Sequence, residues 1–222
     1  MMLSPRLKAI LGLLDEPFVD VLADIGTDHA YLPIEAVRAG LCQRAIACDI
    51  NVGPLKIADF NIREAGLSEK IETRLGDGLQ PLNPGEADCI TIAGMGGMKI
   101  IGILDSKKIQ NAKLILQPQH DLEELRRNLH SQGYEIHEKL AKESERFYVI
   151  IHAQKADNIQ RWTDKQYFLG NFCNTSYLQQ RRDKIERYIN SINDANTRRD
   201  AEKKLEWIKS AQCAPPERSE EA

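Results

Sequence analysis

The sequence predicts an α/β fold, a mostly parallel sheet covered on both faces by helices and followed by a C-terminal α-helical coiled-coil hairpin. Three observations lead there. Apolar strand-like runs alternate with amphipathic helix-like segments up to Lys155, which is how a parallel sheet with helical crossovers reads. Beyond Lys155 the alternation stops, only Gly170 remains of the glycines, and Leu178, Ile185 and Ile192 repeat every seven residues with Ile189 beside them. Each unusual acid- or glycine-rich cluster falls just after a strand-like run, where open parallel sheets bind ligands.

The elements follow in order. Ser4-Pro5 supplies an N-cap and a first-turn proline, and Leu7, Ile10, Leu11 and Leu14 form one apolar helix face. VDVLADI (19–25) is the first strand, with a helix after Pro33. RAIACDI (44–50) is the second strand, followed by a helix over 54–65 and the short strand IETRLG (71–76). ADCITIAG (87–94) leads to a helix over 98–104, and AKLILQP (112–118) to a helix over 121–131 closed by Gly133. YEIHEKLAKESERFYVIIHAQ (134–154) reads as two runs around a polar turn, an antiparallel hairpin that completes a seven-stranded sheet. Asn193-Asp194-Ala195-Asn196 breaks the C-terminal helix, and Ala201, Leu205 and Ile208 line its successor. The two apolar seams can pack on each other, so the hairpin need not be a dimerisation element, and a monomer is expected. Residues 214–222 read as a frayed tail.

Length and composition set bounds. A chain of 222 residues with 42% hydrophobic residues supports a medium domain, 1–155, and a small second one, 156–222. No apolar run is long enough to cross a bilayer, and the start of the chain lacks the layout of a signal peptide, so a cytoplasmic protein without membrane association is expected. Five cysteines without a CxxC pair suggest incidental thiols and no metal site. Lys and Arg number 18 against 22 Asp and Glu over 1–155, but 11 against 8 over 156–212, so positive excess is confined to the C-terminal segment.

The candidate chemistry lies at the strand ends. After the first strand come Asp24, Gly26, Thr27, Asp28 and His29. A glycine there lets backbone approach a ligand and a carboxylate receives an ammonium group, although Asp24 could equally cap the next helix. Asp49 ends the second strand 25 residues later, one βαβ unit away, where a carboxylate commonly holds ribose hydroxyls; read alone it could equally be an exposed Asp starting a loop, and the first motif favours the ribose. Asp77-Gly78 after the third strand suits an adenine amine lying on bare backbone, and is also an ordinary turn. A dinucleotide site would want G-x-G-x-x-G. Here Gly26 stands among acids, which repel a pyrophosphate and suit the cationic S-adenosylmethionine.

Ala93, Gly94, Met95, Gly96 and Gly97 follow the fourth strand, where such methyltransferases place the substrate atom. The Asn/Asp-Pro-Pro-aromatic motif used to hold exocyclic amines is absent there. Gln117 and Gln119 with His120 close the fifth strand, offering groups able to read a base edge, although His120 could equally be a solvated residue at the start of the next helix. His130, His137 and His152 are expected at the surface.

DIGTDHAYLP, IAGMGG and LILQPQHDLEELRRNL, with the opening LSPRL and the helical hairpin, together resemble the TrmK family, bacterial tRNA (adenine-N1)-methyltransferases acting at adenine 22. The resemblance implies a class I Rossmann-like methyltransferase fold, S-adenosyl-L-methionine as donor, S-adenosyl-L-homocysteine as product and a coiled coil that helps hold tRNA. It places Asp24, Gly26, Thr27, His29, Asp49, Ile50, Asn51, Asp77, Gly78, Ala93, Gly94 and Met95 at the donor, and Asp28, His29, Gly94 to Gly97, Gln117 and Gln119 at the target base. Arg181, Arg182, Lys184, Arg187, Arg198, Arg199, Lys203 and Lys204 on the helical hairpin, with Arg6, become phosphate contacts; the alternative for them is a solvated helix face. Methylation of a small molecule, or an RNA- or partner-binding module without catalysis, are the competing functions.

Overall fold

In a computed structural model, residues 3–14, 18–106 and 108–212 are described. The tail 214–222 and Cys213 lie outside them. Contacts divide the chain into two compact units, 1–160 and 161–222.

The first unit is built on a seven-stranded sheet, β1 (Val19–Ile25), β2 (Cys42–Asp49), β3 (Ile71–Leu75), β4 (Cys89–Met95), β5 (Lys113–Pro118), β6 (Tyr134–Glu143) and β7 (Arg146–Lys155). Their order is β3-β2-β1-β4-β5-β7-β6, with β1 to β5 parallel and β7 antiparallel to both β5 and β6. The order reverses between β1 and β4, so the crevice for a ligand opens beyond the carboxyl ends of β1, β2 and β4. The central strands are buried almost throughout, Leu22, Ala23, Ile90, Ile92 and Leu114 to Leu116 being near zero exposure, because helices cover both sheet faces.

The helices begin where local chemistry allows. Helix α1 (Pro5–Leu11) is capped by the Ser4 hydroxyl, which accepts from the Leu7 amide, and it buries Ile10. α2 (Tyr31–Arg38) starts two residues before Pro33, which is tolerated because an amide in the first turn has no intrahelical partner to lose. α3 (Val52–Glu64), α4 (Gly97–Leu104) and α5 (Leu122–Ser131) complete the layers. Arg126 of α5 and Glu138 of β6 form a fully buried ion pair at 2.8 Å that ties the last helix to the sheet edge.

The second unit holds α6 (Asp164–Leu169), α7 (Thr175–Ser191) and α8 (Ala195–Gln212). The sequence reading missed α6, whose signal was Thr163 and Gln166, a capping box, followed by Gly170. Leu178, Ile185 and Ile192 are buried, as are Ala201 and Ile208, so the seven-residue repeat does mark the inner seam. Gln212 at the end of α8 donates to Gln179 near the start of α7 at 3.1 Å, so the two helices run antiparallel. His152 departs from expectation: it sits half-buried in β7 opposite His137, and burial brings its imidazole down to about 4.

Candidate active site

A cavity of about 210 Å³ opens at the sheet's carboxyl edge, and residues after four strands line it. Gly26 comes from β1; Asp49, Ile50 and Asn51 from β2; Asp77 and Gly78 from β3; and Ala93, Gly94 and Met95 from β4. A second depression of about 480 Å³ shares Asp77, Gly78, Lys99 and Ile103 with it. Lys99 and Ile103 on α4 were not among the sequence-derived candidates, because their approach depends on how α4 packs.

Backbone conformation explains the glycines. Gly26 has φ +75°, and its amide and that of Thr27 both donate to the Cys48 carbonyl, at 2.8 and 2.9 Å, so the chain turns sharply across the end of β2. A Cβ at Gly26 would lie 2.4 Å from the Met95 methyl, so this glycine also makes room for the β4 loop. Gly94 has φ +78° at a register shift between Ala93 and Met95, a bulge that turns the last residues of β4 out of the ladder.

The acids sit at different depths. Asp24 is 6% exposed and is not among the residues of the cavity wall, which its neighbour Ile25 reaches, and its Oδ1 accepts from the Thr91 hydroxyl of β4 at 2.6 Å. Burial pushes its carboxyl above the ordinary value, Thr91 pulls it partly back, and the negative charge of Asp49 adds to the rise. The Thr27 hydroxyl is near enough to favour ionised Asp24 but outside hydrogen-bond geometry, leaving it buried without a partner among the described residues. Asp49 accepts from the Asn51 amide through Oδ1 at 2.8 Å, which fixes the carboxylate and leaves Oδ2 for a ligand hydroxyl. The Cys48 thiol in the cavity wall is pushed up to about 12, chiefly by burial, so it stays protonated and is no nucleophile.

These features fit S-adenosylmethionine. A buried carboxylate held partly against its will, with an orphaned hydroxyl beside it, gains from a cationic amine; Asp49 suits a ribose; and Gly78, at φ +53°, leaves backbone bare for a flat base.

On the target side, Asp28 and Ala30 have φ +54° and +57°, left-handed conformations unusual for non-glycine residues. His29 Nε2 lies 3.4 Å from the mostly exposed Asp28 carboxylate, its ring meets Tyr31 edge-on at 5.4 Å, and its carbonyl accepts from Asn61. Gln119 is tied to the β4 loop, its amide donating to the Met95 carbonyl at 2.8 Å. Gln117 behaves otherwise than expected: it is fully buried, its oxygen accepts from Arg6 at 2.8 Å and its amide donates to the Pro118 carbonyl. Both ends are committed within the protein, so it orders the loop rather than presenting an amide to a base. Arg6 likewise is no free phosphate contact, being 26% exposed, stacked on Tyr148 at 5.3 Å and within 3.9 Å of Glu143, with Nη1 beside Gly94.

The basic residues of the helical unit divide by whether they have local partners. Arg182 pairs with Glu186 at 2.9 Å, Lys204 with Asp200 at 3.0 Å, Arg181 donates to the Phe168 carbonyl and covers that ring at 4.2 Å, and Arg198 donates to the Ile192 carbonyl. Arg187 donates to the Asp183 carbonyl and Lys203 lies 4.9 Å from the Trp207 ring centre. Lys184 and Arg199 are exposed and have no ion-pair partner among the described residues. Among the same residues, no group of three or more His, Cys, Asp or Glu is placed to hold a metal ion, and no helix is long and apolar enough to cross a membrane.

Residues 22–212 match the family model described as TrmK, tRNA (adenine(22)-N(1))-methyltransferase. A tRNA (adenine(22)-N(1))-methyltransferase of Bacillus subtilis is 40% identical over 159 residues, 70% of this chain and 66% of that protein's length. Among solved structures, Streptococcus pneumoniae Sp1610 in complex with S-adenosyl-L-methionine superposes with TM-score 0.85 at 32% identity, covering 95% of this chain and 99% of that one. TrmK of M. capricolum in complex with S-adenosyl-homocysteine gives 0.84 at 30%, covering 95% and 97%. With a family model matched over most of its length and a strand-end cleft of the kind such enzymes need, the chain belongs to the TrmK family of tRNA (adenine(22)-N(1))-methyltransferases.

Proposed function

We propose that the protein transfers a methyl group from S-adenosylmethionine to N1 of adenine 22 in tRNA, releasing S-adenosylhomocysteine. The observation that carries this reading is the convergence of acids and glycines after β1 to β4 on one cleft, in a chain of this family. When bound, the donor supplies an electrophilic methyl on a sulfonium. Asp24 and Thr27 hold its amino-acid end, Asp49 its ribose, and Asp77 with Gly78 its adenine.

The chain's contribution is mainly positioning. Adenine N1 has an in-plane lone pair and needs no deprotonation, so alignment for in-line displacement supplies much of the rate. Gly94 leaves the backbone at the end of β4 open, since a Cβ there would meet nothing nearer than Arg6 Nη1 at 3.7 Å, so a flat base can come close, and the target nucleotide must leave its stack to reach it. Methylation at N1 leaves a cation, and Asp28, mostly exposed and 3.4 Å from His29 Nε2, stabilises that charge. Tyr31 and Met95 pack on the extruded base. The coiled-coil hairpin of α7 and α8 holds the tRNA body through phosphate contacts, first of all Lys184 and Arg199, which have no ion-pair partner among the described residues. The protein acts as a monomer in the cytoplasm.

Incubation with methyl-labelled S-adenosylmethionine and unmodified tRNA transcripts, then nuclease digestion and nucleoside mass spectrometry, tests this. Labelled 1-methyladenosine that disappears when adenine 22 is replaced by guanine is the expected result. Donor binding with no labelled nucleoside would refute it and point to a small-molecule acceptor or a binding module.

A further inference from the structure

Two imidazole–carboxylate pairs flank the loop that ends β4, since β4 lies between β1 and β5 in the sheet. Asp28 and His29 follow β1; His120 and Asp121 follow β5. The second pair is held by a set of bonds that fix it to the methyl-transfer loop. The Gln119 amide donates to the Met95 carbonyl at 2.8 Å, and the Gly97 amide donates to the His120 carbonyl at 3.0 Å. The imidazole lies directly on Gly96, where a Cβ would fall 2.4 Å from Cε1 and 2.9 Å from Nε2, while a Cβ on Gly97 would strike the Asp121 carbonyl at 2.5 Å. Two glycines of the loop are therefore required by this pair rather than by the donor.

Asp121 has φ +58°, a strained conformation for a residue with a side chain, at the first position before α5. In it the carboxylate Oδ2 meets His120 Nδ1 at 2.7 Å and also accepts from the Met98 amide at 3.4 Å. An acceptor on Nδ1 places the proton there, so neutral His120 carries a lone pair on Nε2. That nitrogen has no partner among the described residues, and the ring is 64% exposed although its backbone is fixed. His29 differs, since its Nε2 is the atom facing Asp28. A rigidly placed ring with one nitrogen saturated and the other open is built to accept a hydrogen bond.

We infer that His120 Nε2 accepts a hydrogen bond from the exocyclic N6 amine of the target adenine, with Asp121 as the positioning residue that sets its tautomer. The inference rests on the proposed methylation of a tRNA adenine. It supplies an amine acceptor on the β5 side of a loop that lacks the Asn/Asp-Pro-Pro motif. It also gives rate as well as choice: methylation at N1 spreads positive charge onto N6, so this bond strengthens toward the transition state. Guanine would present a carbonyl oxygen to the same lone pair and carries a proton on N1, and is rejected twice.

The test compares tRNA bearing adenine with tRNA bearing purine, which lacks the amine, at the target position, using wild type, His120→Ala, His120→Gln and Asp121→Gly. Purine is a weaker nucleophile by itself, and the enzyme-by-substrate comparison cancels that difference. His120→Ala should lower kcat/KM on the adenine tRNA by about 10- to 100-fold, the worth of a hydrogen bond to a charged group, with little change on purine. His120→Gln should restore most of the difference, because its amide oxygen can reach the place of Nε2. Donor affinity by calorimetry should be unchanged in each variant, since His120 is not in the donor cavity wall. An equal loss on both substrates, or no loss, overturns the inference. Should His120→Ala lose donor affinity through misfolding, Asp121→Gly decides, because glycine accepts the left-handed φ: unchanged adenine preference in it overturns the inference. A wild-type enzyme that methylates no tRNA fails the proposed function itself, a result seen before any variant is compared.

Discussion

The strand-end cleft and the C-terminal helical unit use charge in opposite ways. In and around the cleft, few polar groups are present and several are held short of satisfaction: Asp24 is buried with a raised carboxyl, the Thr27 hydroxyl has no partner among the described residues, and Asp28 and Asp121 keep left-handed backbone. In the helical unit charges are many and exposed, and most are satisfied locally by a residue three or four positions away or by a carbonyl. The first region stores unmet hydrogen-bonding capacity that a small ligand can discharge. The second displays a surface whose affinity for a polyanion depends on which charges are free. A site for a small ligand is therefore marked by cost, and a surface for a large one by surplus.

The largest expected effect breaks the cleft side of that comparison. Because burial raises the Asp24 carboxyl, folding favours its protonated form: its contribution to stability is complete below the unfolded value of 3.8 and is lost as pH rises through the raised one. Wherever it is ionised in the donor-free protein, the side chain is thus a burden. Asp24→Asn should melt higher than wild type without donor, yet bind S-adenosylmethionine about 100-fold or more weaker, the usual consequence of removing one charge from a buried pair. Wild-type donor affinity should also fall as pH drops through the raised value. Calorimetry and thermal melting check all three, and an Asn variant that is both less stable and normal in donor binding would show Asp24 to be structural.

How far the sequence could be read follows the same division. Strands and the turns after them were legible because apolar runs and clusters such as DIGTDH are local signals, and the cavity is lined by Gly26, Asp49, Asp77 and Met95 from those clusters. What the sequence did not reveal are partners far apart in the chain. Thr91 bonds Asp24 across 67 positions and Arg6 bonds Gln117 across 111. Both depend on strand order, which places β4 beside β1, and on α1 reaching the end of β5, neither of which has a local signature. The same blindness made Arg6 look like a phosphate contact and His152 a surface residue. In the helical unit, the repeat of Leu178, Ile185 and Ile192 was legible, but side-chain pairing was not, since Glu186 serves Arg182 only in one choice of rotamers.

A smaller effect separates free from shared charges on the helical unit. Lys184→Glu with Arg199→Glu should weaken tRNA binding by about tenfold or more and reduce the slope of log affinity against log salt by about one for each phosphate no longer neutralised. Reversal at Arg182 and Lys204, whose charges already face Glu186 and Asp200, should cost less. Filter binding over a salt series reads both. Equal losses from the two double variants would mean that local pairing does not decide which residues grip the RNA.

The smallest effect sharpens the same point in the opposite direction. Glu186→Gln removes a negative charge and releases Arg182, without touching the inner seam formed by Leu178 and Ile185. If the face carrying Arg182 lies against the phosphates, tRNA affinity should tighten by about two- to fivefold and its salt dependence should steepen, because one more cation is available to displace counterions. Methyl transfer at saturating tRNA should not change, since the cleft is built entirely from the first unit. Unaltered affinity would place Arg182 on the face of α7 away from the RNA and confine the contact to the side that bears Lys184. The sign is the informative part. Deleting a surface ion pair ordinarily changes little, so a gain in binding from the loss of a partner is the signature of a charge that had been spent locally and becomes free for the nucleic acid.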